Sequence, residues 1–167
     1  MLKTLTKNRK AGFTIVELLI VIVVIGILAA IVLNTFSGVQ ARARNTERQT
    51  DIKGLSSQLE AFAVDPANAN PGNYPLGSSL VGATPAAVQL VLKGIDANAI
   101  QAPGGNANSL ITGTSPTTSQ YGYNPYIAGG TTPCAAANNC GKFVLNWNEE
   151  AVNGSGGGQK TKDSLNQ

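Results

Sequence analysis

Few side chains in this sequence have the type and spacing to do chemistry, and the first of them is an acid in an oily run. Glu17 stands four residues after Phe13, between Val16 and the trio Leu18, Leu19 and Ile20. An ionised group inside a membrane span is costly, so an acid there invites a cationic partner. Near the cytoplasmic end the cost is smaller, because the carboxylate can reach the interface. Glu17 is therefore either an acid that snorkels or an acid that awaits a positive group from another subunit. The means for catalysis are sparse. The chain has no histidine, two cysteines and no phosphate-loop pattern, so common routes to hydrolysis, zinc chemistry and nucleotide binding lack their parts. Asn148, Glu149, Glu150 and Asn153 offer oxygens without the dense spacing of a calcium loop. The expectation is a non-enzyme with no cofactor and no metal site.

The element that must position Glu17 is the aliphatic run 13–33, whose 21 residues make a helix of about 31 Å, matching the ~30 Å hydrocarbon core of a bilayer. Lys3, Lys7, Arg9 and Lys10 precede it, and the first twelve residues hold no acid. Without that segment the net charge of +3 falls to −1, with eight basic side chains left against nine acidic ones. The basic character thus belongs to a leader, and four cations before a span predict a cytoplasmic N-terminus with the rest of the chain exported. A cleavable secretory signal fits poorly. The run is too long, and cuts after Ala29 or Ala30 place Ile27 or Leu28 where a small residue is wanted. A plain uncleaved anchor explains the length and the charge but leaves Glu17 without a purpose.

The stretch KAGFTIVELL, residues 10–19, continuing as IVIVVIGILAA, closely resembles the prepilin signal of type IV pilins and of the pseudopilins of type II secretion and competence systems. The likeness covers roughly residues 7–40. It implies that a prepilin peptidase cuts between Gly12 and Phe13, that the new Phe13 amine is methylated, and that Glu17 attracts the Phe13 amine of a neighbouring subunit in a filament. An N-methyl amine is still a cation, so the cut creates the charge that Glu17 lacks. It further implies a helical homopolymer of packed N-terminal helices and an inner-membrane assembly platform driven by a separate ATPase. One departure is Asn34, where pilins often have a helix-breaking proline, so local melting between Gly26 and that position lacks its usual breaker. Gly26 with Ala30 makes a small-xxx-small pair suited to close helix contact.

Beyond residue 33 the chain turns polar but keeps helical spacing: Val39, Ala43, Ile52, Leu55, Leu59 and Phe62 predict one apolar stripe to about Val64, stopped by Asp65-Pro66. Arg42, Arg44, Arg48 and Lys53 are interleaved with Glu47, Asp51 and Glu60. Arg44 with Glu47 and Arg48 with Asp51 are spaced for intrahelical pairs, which favours a solvated or inter-subunit face over a nucleic-acid stripe. Thr84-Pro85 and Gly94 bracket a short helix. Strands are expected at 109–112, 120–127 and 142–148 in a small antiparallel sheet, with Tyr121, Tyr123, Phe143, Leu145 and Trp147 as core, an adhesive aromatic patch being the alternative. Outside the cytoplasm Cys134 and Cys140 can form a disulfide closing a small loop. Asn153-Gly154-Ser155 matches a glycosylation acceptor, and the glycine-rich tail 154–167 reads as mobile.

The expected fold is α+β: a long N-terminal helix packed on a small antiparallel β-sheet head, pilin-like. Its parts are a cleaved basic leader (1–12), a transmembrane and filament-core helix (13–36), an amphipathic spine (37–64) and an extracytoplasmic head (65–167) with the disulfide loop 134–140. The expected function is a structural subunit of a type IV pilus-like filament. The alternatives are a pseudopilin of a type II secretion or DNA-uptake system, and a monomeric membrane-anchored surface binding protein. The lipid bilayer is the partner before assembly, and an extracellular pilus or the cell surface is the destination after it. Motility, adhesion, secretion and contact with nucleic acid all stay open at this point.

Overall fold

The computed structural model describes residues 12–105 and 108–165, with the side chains at 34 and 35 outside the description. The leader cations Lys3, Lys7, Arg9 and Lys10 also lie outside the described residues. The chain divides into two compact units, 1–37 and 38–167, and helix α1 (Ile15–Val64, 50 residues) contributes to both. The helix is unbroken at Gly26 and Asn34.

In the first unit no residue of α1 from Ile15 to Leu33 is buried. Every aliphatic side chain from Ile15 to Leu33 is exposed, from 48% at Val24 to 86% at Ile15.

In the second unit α1 buries Ala41, Arg48, Ile52, Leu55, Leu59 and Ala63, whose steps of three, four and seven keep one face inward. Val39 and Ala43, expected in that stripe, are exposed, and Ala41 and the guanidinium of Arg48 take their place. The helix stops before Pro66, which disfavours the helical conformation at Asp65. The Asp65 carboxylate then accepts the Ala67 N–H at 2.8 Å, and the Gly72 N–H reaches back to the Ala63 carbonyl at 2.8 Å. Two short helices follow, α2 (Gly77–Leu80) and α3 (Pro85–Val91), and a 3-10 turn at Ala97–Ile100. Thr84 caps α3 by accepting the Ala87 N–H at 3.3 Å, with Pro85 in the first helical position as expected.

The sheet has four strands in the order β1 (Leu110–Ile111), β2 (Tyr121–Tyr126), β3 (Lys142–Glu149) and β4 (Gly158–Asp163). It is mixed rather than antiparallel. The β1 and β2 strands run parallel, with Leu110 opposite Tyr121, while β2–β3 and β3–β4 are antiparallel. Parallel neighbours need a return path, and the link 112–120 supplies it: Gly113 is clamped by the Asn124 amide through bonds of 2.8 and 2.9 Å. The expected mobile tail is the second departure, since 158–163 pairs along β3. Alternation of apolar side chains, the usual sign of a half-buried strand, is missing from its polar GQKTKD sequence.

The core lies between α1 and one face of the sheet. Tyr121, Tyr123, Phe143 and Leu145 are fully buried with Ile52, Leu55 and Leu59, whereas Trp147 is half-buried. The Phe143 ring meets Tyr74 edge-on at 4.8 Å. Each buried tyrosine hydroxyl donates to an oxygen: Tyr74 to Glu60 at 2.7 Å, Tyr121 to Asp51 at 2.6 Å and Tyr123 to the Pro75 carbonyl at 2.6 Å. Cys134 and Cys140 are joined in a disulfide, and Cys140 belongs to the core.

Candidate functional site

The N-terminal site begins at Gly12 and Phe13, both exposed and just outside α1. Thr14 caps the helix. Its hydroxyl oxygen accepts the Glu17 N–H at 3.2 Å, and the Glu17 carboxylate accepts both the Thr14 N–H and the Thr14 hydroxyl at 2.8 Å. This is a reciprocal capping box, in which two helix-end donors are satisfied by two side chains. An anion at this end of a helix also complements the positive pole of its dipole. The carboxylate is thereby fixed beside the peptide nitrogen one residue after Phe13. Sequence reasoning missed the box, although Thr-x-x-Glu ahead of an apolar run is its signature.

A second polar cluster sits between α1 and the turn after β3. The Arg44 guanidinium donates from Nε and Nη2 to Glu150, at 2.8 Å for Nε with Oε1. Arg48, 1% exposed, donates to Glu150 at 2.6 Å, to the Asn45 Oδ1 at 2.9 Å and to the Thr118 carbonyl at 2.9 Å. Asn45 closes the cluster by exchanging two 2.9 Å bonds with the Glu150 backbone. The Arg44 hydrogen bonds, aided by those of Arg48, hold the Glu150 carboxyl down at about 2. The intrahelical pairs expected of these arginines, with Glu47 and Asp51, do not form, because Glu150 takes both cations. Asp51 is left with the Tyr121 hydroxyl, and its carboxyl is pushed up to about 6, first by burial and then by the charges of Glu47 and Asp96.

Three of the four residues weighed as cation ligands, Glu149, Glu150 and Asn153, are each turned to a different partner. Glu150 is held by the arginines, Glu149 accepts from Gln49 at 2.8 Å, and Asn153 lies against Gly38 of α1, where a Cβ would collide with its side-chain oxygen.

The family comparison bears on the first of the two sites. Residues 7–33 match the prokaryotic N-terminal methylation motif. The segment is similar to the N-terminal segments of a type IV major pilin and of type II secretion core protein G. Similar proteins fall on both sides of that pair. The type IV major pilin protein PilA of Myxococcus xanthus is 44% identical over 54 residues, 32% of this chain and 24% of that protein. The type II secretion system core protein G of Dickeya chrysanthemi is 36% identical over 59 residues, 35% of this chain and 39% of that protein. A fimbrial protein of Moraxella nonliquefaciens is 46% identical over 52 residues, 31% of this chain and 34% of that protein. The chain therefore matches between about a quarter and two-fifths of these relatives' own length. No solved structure gives a significant match. The pilin-like segment and an α+β head agree with the expected fold class, and the rest of the chain is characterised by its own geometry.

Proposed function

We propose that the chain is a prepilin, a structural subunit that enters the membrane through residues 13–36 with its N-terminus cytoplasmic. A prepilin peptidase cuts between Gly12 and Phe13, removing the leader 1–12, and the Phe13 amine is methylated. The mature subunit then polymerises outside the cytoplasm, with 13–36 in the filament core, 37–64 as the spine and 65–167 as the head. The observation that carries this reading is the bare apolar helix: aliphatic side chains at 48–86% exposure all round α1 from Ile15 to Leu33, in a chain whose head buries its own core. A helix apolar on every side is stable only inside something apolar. Lipid serves before assembly and the helices of other copies after it. Glu17 is the acid proposed to meet the Phe13 amine of the next subunit. The free energy for extraction from the membrane comes from a separate ATPase at an inner-membrane platform.

A pseudopilin of a secretion or DNA-uptake system is the second reading, favoured by the likeness to type II secretion core protein G over the same N-terminal third. Mass spectrometry of the native product tests the processing: the chain should begin at methylated Phe13, and an intact Met1 or a cut near Ala30 overturns it. Electron microscopy of sheared surface material, labelled for this subunit, separates the rest. Long surface filaments support the pilin, short periplasmic ones the pseudopilin, and their absence the membrane-anchored binding protein.

A further inference from the structure

The head carries charges of opposite sign on opposite flanks of α1. At 3.6 residues per turn, Glu47 and Asp51 share one side of the helix, and Gln49 and Lys53 share the other, with the buried stripe between them. On the first side, Asp51 and Asp96 line a depression of about 350 Å³, and Glu47 lines a neighbouring one of about 220 Å³, the two joined at Asn98. On the second side, α1 runs beside the end of β3 and beside β4, fixed by Gln49 bonding Glu149 and by the Leu165 N–H bonding Glu60. There Lys160 and Lys162 stand opposite Trp147 and Leu145, on the face of β4 turned toward α1. Among the described residues none of Glu47, Asp51, Asp96, Lys53, Lys160 and Lys162 has an ion-pair partner within the chain. Of the nearby charges, Arg44 and Arg48 are taken up by Glu150, while Glu60 and Glu149 stay on the lysine side, bonded to the neutral Tyr74, Leu165 and Gln49 groups and outnumbered there by Lys53, Lys160 and Lys162.

We propose that these flanks are the two halves of one contact between heads, the Lys53, Lys160 and Lys162 side of one copy docking on the Glu47, Asp51 and Asp96 side of the next. The occupant is a second copy because one molecule carries both complementary surfaces and cannot bring them together itself. They are separated by α1, whose diameter with side chains is about 10–12 Å. An isologous dimer over the outer face of α1 could also pair the flanks, but it closes at two copies. A heterologous contact sets the three lysines against the three acids and repeats without closing, the symmetry an open polar filament requires. The inference rests on the filament reading and gives that filament a head-to-head register that its apolar core does not specify.

Carbodiimide coupling of sheared filaments of the full chain tests it, since that reagent joins a carboxylate to an amine with no spacer. Coupled peptides linking Glu47, Asp51 or Asp96 to Lys160 or Lys162 are expected in the dimer band, since α1 stands between these groups within one copy; links to Lys53, which shares α1 with Glu47 and Asp51, are not counted. A charge-reversal pair supplies the second readout. Glu47→Lys with Asp96→Lys, or Lys160→Glu with Lys162→Glu, should each lower sheared filament about tenfold. All four changes in one chain should restore it to within about threefold of the parent. Filaments that form without these coupled peptides, or a fourfold variant no better than its halves while still folded by protease resistance, overturn the contact alone. A parent chain that yields no filament overturns the filament reading and this inference with it.

Discussion

Removing the Glu150 carboxylate should cost the head more than any other single ion-pair change. In Glu150→Ala the Arg48 guanidinium, 1% exposed, keeps its bonds to Asn45 and Thr118 but loses the carboxylate it pairs with. Breaking a buried pair by deleting one partner costs about 3–5 kcal/mol. Glu150 itself is 23% exposed, so water reaches the vacated site, and the figure is reduced to about 2–3 kcal/mol. For a head of this size that corresponds to roughly a 10 °C fall in Tm. Trp147, the chain's single tryptophan, lies half-buried on β3 close to the cluster and reports the transition by fluorescence in urea or on heating of the full chain in detergent. Arg44→Ala is the control. Its side chain is 39% exposed, so its loss should be clearly smaller than that of Arg48→Ala. A Glu150→Ala head as stable as the parent, or an Arg44→Ala head as damaged as Arg48→Ala, would refute the claim that the buried guanidinium dictates the need for this acid.

Glu17→Ala should insert and be processed yet assemble poorly, measured as sheared filament per cell; Glu17→Gln keeps a capping-box acceptor without the charge, and normal filament yield from it would sink the charge-pair proposal. The Asp51 carboxyl, raised from 3.8 to about 6, holds a proton in the folded head that the unfolded chain has already released. Its contribution is fully present below about 3.8 and is lost as pH rises through 6, an effect of about 1–2 kcal/mol for a half-exposed group. Urea titrations between pH 4 and 7 should show that slope in the parent and not in Asp51→Asn. Glu150, lowered from 4.5 to about 2, works oppositely, its stabilisation vanishing as pH falls through 2. Gly38→Ala should displace the 150–157 turn by driving a methyl into Asn153, at a cost of about 1–3 kcal/mol, visible as faster amide exchange in that turn.

What could be read beforehand was whatever depends on local rules. The helix ends at Val64 because Pro66 follows, α3 starts at Thr84-Pro85 because that pair satisfies a helix start, and β2 and β3 alternate because one face is buried. The rest depends on partners far apart in the chain. Arg44 and Arg48 have carboxylates within four residues, yet they pair with Glu150 more than a hundred residues away. Once the sheet brings Glu150 over α1, it can serve both guanidiniums in a site water only partly enters. The β4 strand is polar throughout and is held by its partner strand rather than by a core, so no periodicity announces it. The parallel β1–β2 pairing depends on a link that folds back under the hold of Asn124, which nothing in the spacing of the two strands reveals.

The capping box changes how the proposed charge pair has to work. Glu17 is not idle in the uncut chain, since its carboxylate already holds the Thr14 amide and hydroxyl at 2.8 Å. Those bonds tether the anion within one residue of the proposed cut. Scission before Phe13 turns a neutral amide nitrogen into an ammonium next to an acceptor already in place, and charge-assisted bonds are roughly twice as strong as neutral ones. A neighbour's amine must therefore compete with the subunit's own. Thr14→Val separates the two, because valine keeps the backbone N–H and removes the hydroxyl. Where the hydroxyl's part is to orient Glu17, processing should persist and filament yield should fall partway, between the parent and Glu17→Ala. Yield equal to the parent would mean that the carboxylate finds its partner without the cap.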